Sequence, residues 1–168
     1  MPEKPVFLVD AYSDPVIIRI EGRASFQNCG CVRDFFEQRV NEGHIRFVVD
    51  FKHCDSMDST FLGVLAGAGL RVRKLNPPGS VVLSRVGTRN LELIRNLGLH
   101  HLTTVDAGDF QMSFGPAAPQ PLTETARNAL ADAKLALEAH ENLVATDETN
   151  LAKFQDVLAF LKNKIERK

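Results

Sequence analysis

An α/β domain with a largely parallel sheet, followed by a helical extension, is what this sequence predicts, and three observations carry that expectation. Short β-branched runs alternate with amphipathic stretches between Val6 and Val105. Ile45 to Phe51 is apolar without alternation, as a strand covered on both faces requires. Beyond Leu122 there is neither Gly nor Pro, and apolar residues recur every seven positions.

Val6 to Val9 and Val16 to Ile20 read as short strands separated by Asp10 to Pro15, a segment rich in turn formers. From Phe26 the period changes: Val32, Phe35, Phe36, Arg39 and Val40 fall at helical spacing, Ser25 can cap the start, and Gly43 stands where a C-terminal cap belongs. After the Ile45 to Phe51 strand, a helix runs from Ser59 to about Lys74 and stops at Asn76-Pro77-Pro78-Gly79. Val81 to Leu83 begins a further strand. Thr88 can cap a third helix that carries Leu91, Ile94 and Leu97 and ends at Gly98, before a last strand from Leu102 to Val105. The order is β-β-α-β-α-β-α-β, with right-handed crossovers and the first strand as the exception to a parallel sheet.

The expected organisation is a domain at 1–107, a linker at 108–121 and a helical extension at 122–168. Phe110, Met112 and Phe114 can pin the linker to the domain. In the extension Leu130, Leu137, Val144, Leu151, Leu158 and Ile165 form a heptad series, with Ala126, Ala133, His140, Asp147, Phe154 and Leu161 at the companion positions. Three arrangements are open. The unbroken heptad favours one long helix in a coiled coil with another chain, joined through Leu130, Leu137, Val144, Leu151, Phe154, Leu158, Leu161 and Ile165. The polar interruption favours a helical hairpin broken near Thr146 to Thr149, and the plainest alternative is a helix packed on its own domain.

Composition narrows the function. A 44% apolar content supports a core, and a net charge of −1 gives no general attraction to nucleic acid or anionic membrane. Met1-Pro2-Glu3-Lys4-Pro5 is not followed by an apolar signal region, and no run approaches the roughly 18 to 20 apolar residues of a membrane span, so a cytoplasmic protein is expected. Cys29, Cys31 and Cys54 are odd in number and suit a reducing compartment, while the histidines at 44, 53, 100, 101 and 140 lack ligand spacing; no metal and no cofactor is expected. Ser59 lacks a Gly-x-Ser-x-Gly turn, no phosphate loop is present, and Gly63, Gly67 and Gly69 lie inside a helix, so no catalytic residues are assigned.

The informative segment is Cys54-Asp55-Ser56-Met57-Asp58-Ser59-Thr60, where a buried strand passes into an apolar helix. The first N–H groups of a helix lack internal partners and carry roughly +0.5 charge, so a hydroxyl there is well placed to bear a phosphate. Ser59 is a candidate switch, and helix capping by Ser59 and its neighbours is the simpler reading. Ser59, Gly63 and Gly67 align at intervals of four into a shallow strip, and Phe61, Val64 and Ala68 form another apolar line. A helix apolar all round needs a second cover, which a partner can supply.

The element order and Asp58-Ser59-Thr60-Phe61-Leu62-Gly63-Val64-Leu65 together resemble the STAS domain of bacterial anti-sigma factor antagonists, over residues 5 to 107. Arg95-Asn96-Leu97-Gly98-Leu99 is similar to that family's late helix end. The resemblance implies a non-enzymatic regulator phosphorylated at Ser59, or at Thr60, that binds an anti-sigma factor or serine kinase through Asp58, Ser59, Thr60, Phe61, Gly63, Val64 and Gly67. A serine phosphatase would restore the free hydroxyl. Two residues depart from the family: Phe61 stands where it has glycine, and Ser25 where members often have Asp. The competing expectation is a constitutive scaffold or transporter-associated subunit assembled through the tail, with Ser59 only a cap.

Overall fold

The strand runs read in the sequence assemble into one mixed sheet in the computed structural model, which describes residues 6–106, 119–123 and 126–166. The strands are β1 (Phe7–Asp10), β2 (Val16–Ala24), β3 (Arg46–Met57), β4 (Ser80–Ser84), β5 (Thr104–Asp106) and β6 (Gln120–Pro121), and their spatial order is β5-β4-β3-β2-β1-β6. The four strands from β2 to β5 pair in parallel, and β1 is antiparallel to β2 as expected. One strand was not anticipated. Gln120 and Pro121, placed in the linker by the sequence, pair antiparallel with β1 and cover the sheet edge. The rest of the linker, with Phe110, Met112 and Phe114, lies outside the described residues.

Helices α1 (Gly30–Asn41), α2 (Ser59–Arg73) and α3 (Thr88–Asn96) connect the parallel strands. Their buried residues, among them Phe36, Leu65 and Ile94, share one core with Ile18, Ile20, Phe47, Val49, Phe51 and Leu83, which alternate along the strands. Two caps differ from expectation. Cys29, not Ser25, precedes α1, because the Ser25 carbonyl accepts from Asn28 and Cys29 in a turn that delays the helix. Gly87, not Thr88, precedes α3.

The extension is two helices, α4 (Ala129–Thr146) and α5 (Asn150–Glu166), packed on one another, and α4 lies along α2. This corrects the single-helix reading. The Asp147 carboxylate accepts from the backbone N–H and hydroxyl of Thr149 at 3.0 and 2.7 Å, so the residue that interrupts the heptad turns the chain. Buried Asn150 then donates to Leu97 O at 2.9 Å and Leu143 O at 2.8 Å, fastening the break to the end of α3. The heptad series is split between two helices. Leu158 and Leu161 are buried, Leu137, Val144, Phe154 and Ile165 are half-buried, and Leu130 and Leu151 are exposed, whereas the most buried positions of α4 are Ala139 and Leu143. The buried line of α4 therefore follows spacing of four toward α2 and not the seven-residue seam.

On β3, Asp50 alternates with the core residues and is fully buried. Its carboxylate forms ion pairs with Arg19 at 3.4 Å and with Arg85, and accepts from Lys52 N at 3.0 Å. Arg85 sits at φ +54, a left-handed conformation that costs about 1 kcal/mol or more and is held by this pairing. Burial pushes the Asp50 pKa up, but the Arg85 hydrogen bond, the Lys52 N–H and the two guanidinium charges outweigh it and leave it below 3.8. A folded pKa below the unfolded one makes this contribution complete above pH 3.8 and loses it as pH falls through the folded value. Asp50→Asn should therefore cost about 3 to 5 kcal/mol at neutral pH. In thermal unfolding from pH 7 to 2, the gap to wild type should close only at the acid end; a gap independent of pH would refute the account.

Candidate functional site

The site is built where the buried strand β3 ends and α2 begins. Asp58 holds extended backbone as the N-cap of α2, and its carboxylate accepts from Phe61 N at 3.0 Å. The second carboxylate oxygen accepts from Phe26 N at 2.9 Å, while Asp58 N donates to Ala24 O at 3.2 Å. One side chain thereby fixes the helix start against the loop before α1. The reading of Ser59 as a cap is corrected here, because Asp58 takes that task and leaves the Ser59 hydroxyl free for another.

That hydroxyl meets the extension. Ser59 Oγ lies 2.9 Å from His140 Nε2 of α4, and His140 Nδ1 lies 2.7 Å from Ala136 O. A carbonyl can only accept, so Nδ1 carries a hydrogen; in the neutral ring Nε2 is then an acceptor and Ser59 donates. His140 is buried, with its ring edge-on to Phe154 of α5 at 4.9 Å. Ser59 also borders a cavity of about 320 Å³ shared with Leu93, Asn96, Lys153 and Phe154.

The strip read from the sequence is occupied. A Cβ on Gly63 would stand 2.6 Å from Ala139 Cβ and would also collide with the Ala139 carbonyl, so the absence of a side chain is what lets α4 approach. Asn142 donates from Nδ2 to Gly63 O at 3.2 Å, and its amide also covers Gly67. Flanking ion pairs join the extension to α1: Arg33 to Glu138 at 3.1 Å and Arg127 to Asp34 at 2.8 Å. At the far end Lys153 donates to Asn96 O at 2.6 Å, so the Arg95 to Leu99 segment is also a dock for α5.

The residues read as a partner surface therefore divide. Asp58 and Ser59 are half-buried at the helix start, whereas Gly63, Val64 and Gly67 lie beneath or beside α4. Thr60 is buried. Phe61 is a correction: it is fully buried and stacks on Phe7 at 5.9 Å, so the residue in the glycine position packs the core. His140 and Phe26 were missed as site residues. In the sequence His140 is a polar interruption of the heptad series, and its single signal is a polar residue amid alanines and leucines. Phe26, assigned to the start of a helix, stays in the loop beside Asp58 with 52% of its surface exposed.

The thiols offer little reactivity. Burial pushes Cys29 up to about 12 and Cys54 up to about 11. Among the described residues no three His, Cys, Asp or Glu side chains converge to hold a metal.

Ranking these contacts gives a direct expectation. Asp58→Ala removes two carboxylate-to-backbone bonds and should destabilise by about 2 to 3 kcal/mol, against about 1 kcal/mol for Ser59→Ala. At about 2 to 4 °C per kcal/mol the two thermal midpoints should separate clearly. Equal shifts would mean that Asp58 does not organise the helix start.

A family model described as Mlab, STAS domain, matches residues 7–104. Similar solved structures include the anti-sigma factor antagonist SpoIIAA in its unphosphorylated form, at 17% identity over 64% of this chain and 89% of that one, with a TM-score of 0.48. The Bacillus cell fate determinant SpoIIAA in its phosphorylated form is 18% identical over 61% of this chain and 92% of that one, with a TM-score of 0.50. A candidate anti-sigma factor antagonist from Thermotoga maritima is 14% identical over 60% of this chain and 85% of its own, with a TM-score of 0.51. At these identities the likeness is one of fold. No curated protein matches the chain.

Proposed function

The chain belongs to the STAS domain family, and on that premise we propose that it is a non-enzymatic regulator that binds a protein partner at the start of α2 and is switched by phosphorylation of Ser59. The observation that carries this reading is the placing of a hydroxyl, not needed for capping, on the first turn of a helix whose cap is already satisfied by Asp58. A phosphate there would add about −1.5 to −2 charges and three acceptor oxygens at the positive pole of α2. The helix favours that anion, whereas the Asp58 carboxylate beside it and an acidic partner surface would be repelled. Binding changes more than folding.

The partner class proposed is an anti-sigma factor or its serine kinase, with a serine phosphatase restoring the free Ser59, in keeping with the fold shared with anti-sigma factor antagonists. Exposed Phe26, fixed by its backbone bond to Asp58, supplies an apolar contact at the edge of the same surface. Among the described residues no helix is long and apolar enough to cross a membrane, and a cytoplasmic site of action is part of the proposal.

Intact mass and site mapping on protein from its native host, with and without phosphatase, should find one phosphate on Ser59. Ser59→Asp should lose a partner captured by the wild-type chain, and Phe26→Ala should weaken capture with little change in melting temperature. Retention of the partner by Ser59→Asp, with Ser59 unmodified under growth and stress alike, would instead identify a constitutive scaffold.

A further inference from the structure

The strip that the proposed partner would use is already filled by α4, and the way it is filled specifies what else would fit. Over five residues α4 presents Glu138 to Arg33, Ala139 to the bare backbone of Gly63, His140 to the Ser59 hydroxyl, and Asn142 to the Gly63 carbonyl. Leu135 and Leu143, buried at 4% and 0% exposure, close the contact on either side. No second helix can reach Gly63 while Ala139 stands over it.

We infer that α4 is a resident occupant of the α2 recognition face, and that the partner this face takes is a helix carrying an acidic residue, then a small residue, then a hydrogen-bond acceptor. The hairpin and that partner exclude one another, so the chain is closed until the hairpin lifts. Docked α4 also engages the half-buried Ser59 hydroxyl through His140, which makes Ser59 more available for modification in the open state. The inference deepens the regulatory reading above and rests on it for the partner's biological role, but its test requires neither a phosphate nor a native partner.

The probe is a fluorescent peptide of residues 126–149, α4 with three flanking residues at each end, added to the full chain. Wild type should not bind it, because its own α4 is in place. Leu135→Asp with Leu143→Asp should undock the resident helix and bind the peptide, and adding Gly63→Leu should abolish that binding by filling the crossing. Ala139→Leu undocks by bulk in place of charge and should give the same gain, which guards against misfolding of the double variant. Adding Ser59→Asp to either open chain should weaken the peptide at least tenfold. Binding by wild type as tight as by the open chains would overturn the inference, as would no binding by an open chain whose sheet retains wild-type hydrogen-exchange protection. Gly63-dependent binding in a chain never phosphorylated in its host would preserve this inference and remove the Ser59 switch.

Discussion

The crossing of α4 over Gly63 is the contact on which the rest of the arrangement depends. Two helices with ordinary side chains at their contact keep their axes about 8 to 10 Å apart. Here the missing Cβ of Gly63 and the small Ala139 allow backbone to meet side chain and carbonyl directly. This approach brings His140 within 2.9 Å of Ser59 and Asn142 within 3.2 Å of the Gly63 carbonyl. Larger residues at the crossing would separate both pairs. The polar contacts thus follow from a packing condition, and in return they leave few buried groups unpaired along the interface.

Asp58 and Asp50 divide the electrostatic work between two ends of the same region. Asp50, midway along β3 and buried, gathers Arg19 and Arg85 from neighbouring elements. The Asp58 carboxylate accepts from two backbone N–H groups, at Phe26 and Phe61. Because both of its oxygens are engaged, the Ser59 hydroxyl is the group at the helix start that turns outward to another element. A cap that also bound His140 would have tied the switch residue to helix stability. Separating the two tasks onto adjacent residues allows one to change state without unmaking the other.

The domain was legible because its signals are local and repeated. The unbroken apolar run of β3, the helix periods and the Gly and Pro stops recover the strand and helix order up to β5, and the strand-to-helix turn at Asp58 locates the site. The extension was less so. Seven-residue spacing in a helix is compatible with a coiled coil, but a buried line at intervals of four, Leu135, Ala139 and Leu143, is embedded in the same sequence, and only the presence of the Gly63 strip chooses between them. Nothing local ties His140 to a serine 81 positions earlier. Core packing and partner contact stayed equally open for Phe61 for a related reason: α2 is apolar on several sides, so periodicity could not decide which side meets Phe7 and which meets α4. β6 has two residues and one of them is proline, which leaves no periodic pattern to read.

Tethering sets the terms on which such a face can be used. A segment joined by a short connection competes at an effective concentration of the order of millimolar. A free helix with the same contacts at micromolar concentration would therefore occupy the face about a thousandfold less than α4 does, a disadvantage of about 4 kcal/mol. The Arg127–Asp34 pair and the Asn150 and Lys153 anchors, which lie outside the strip, widen that margin. A productive partner must make contacts that α4 lacks, and exposed Phe26 lies beside the site, outside the core, where such contacts are available. Affinity then has to come from the edge of the strip as well as from the strip itself, so a partner that mimics α4 alone remains excluded, while one that also engages the loop at Phe26 can displace it.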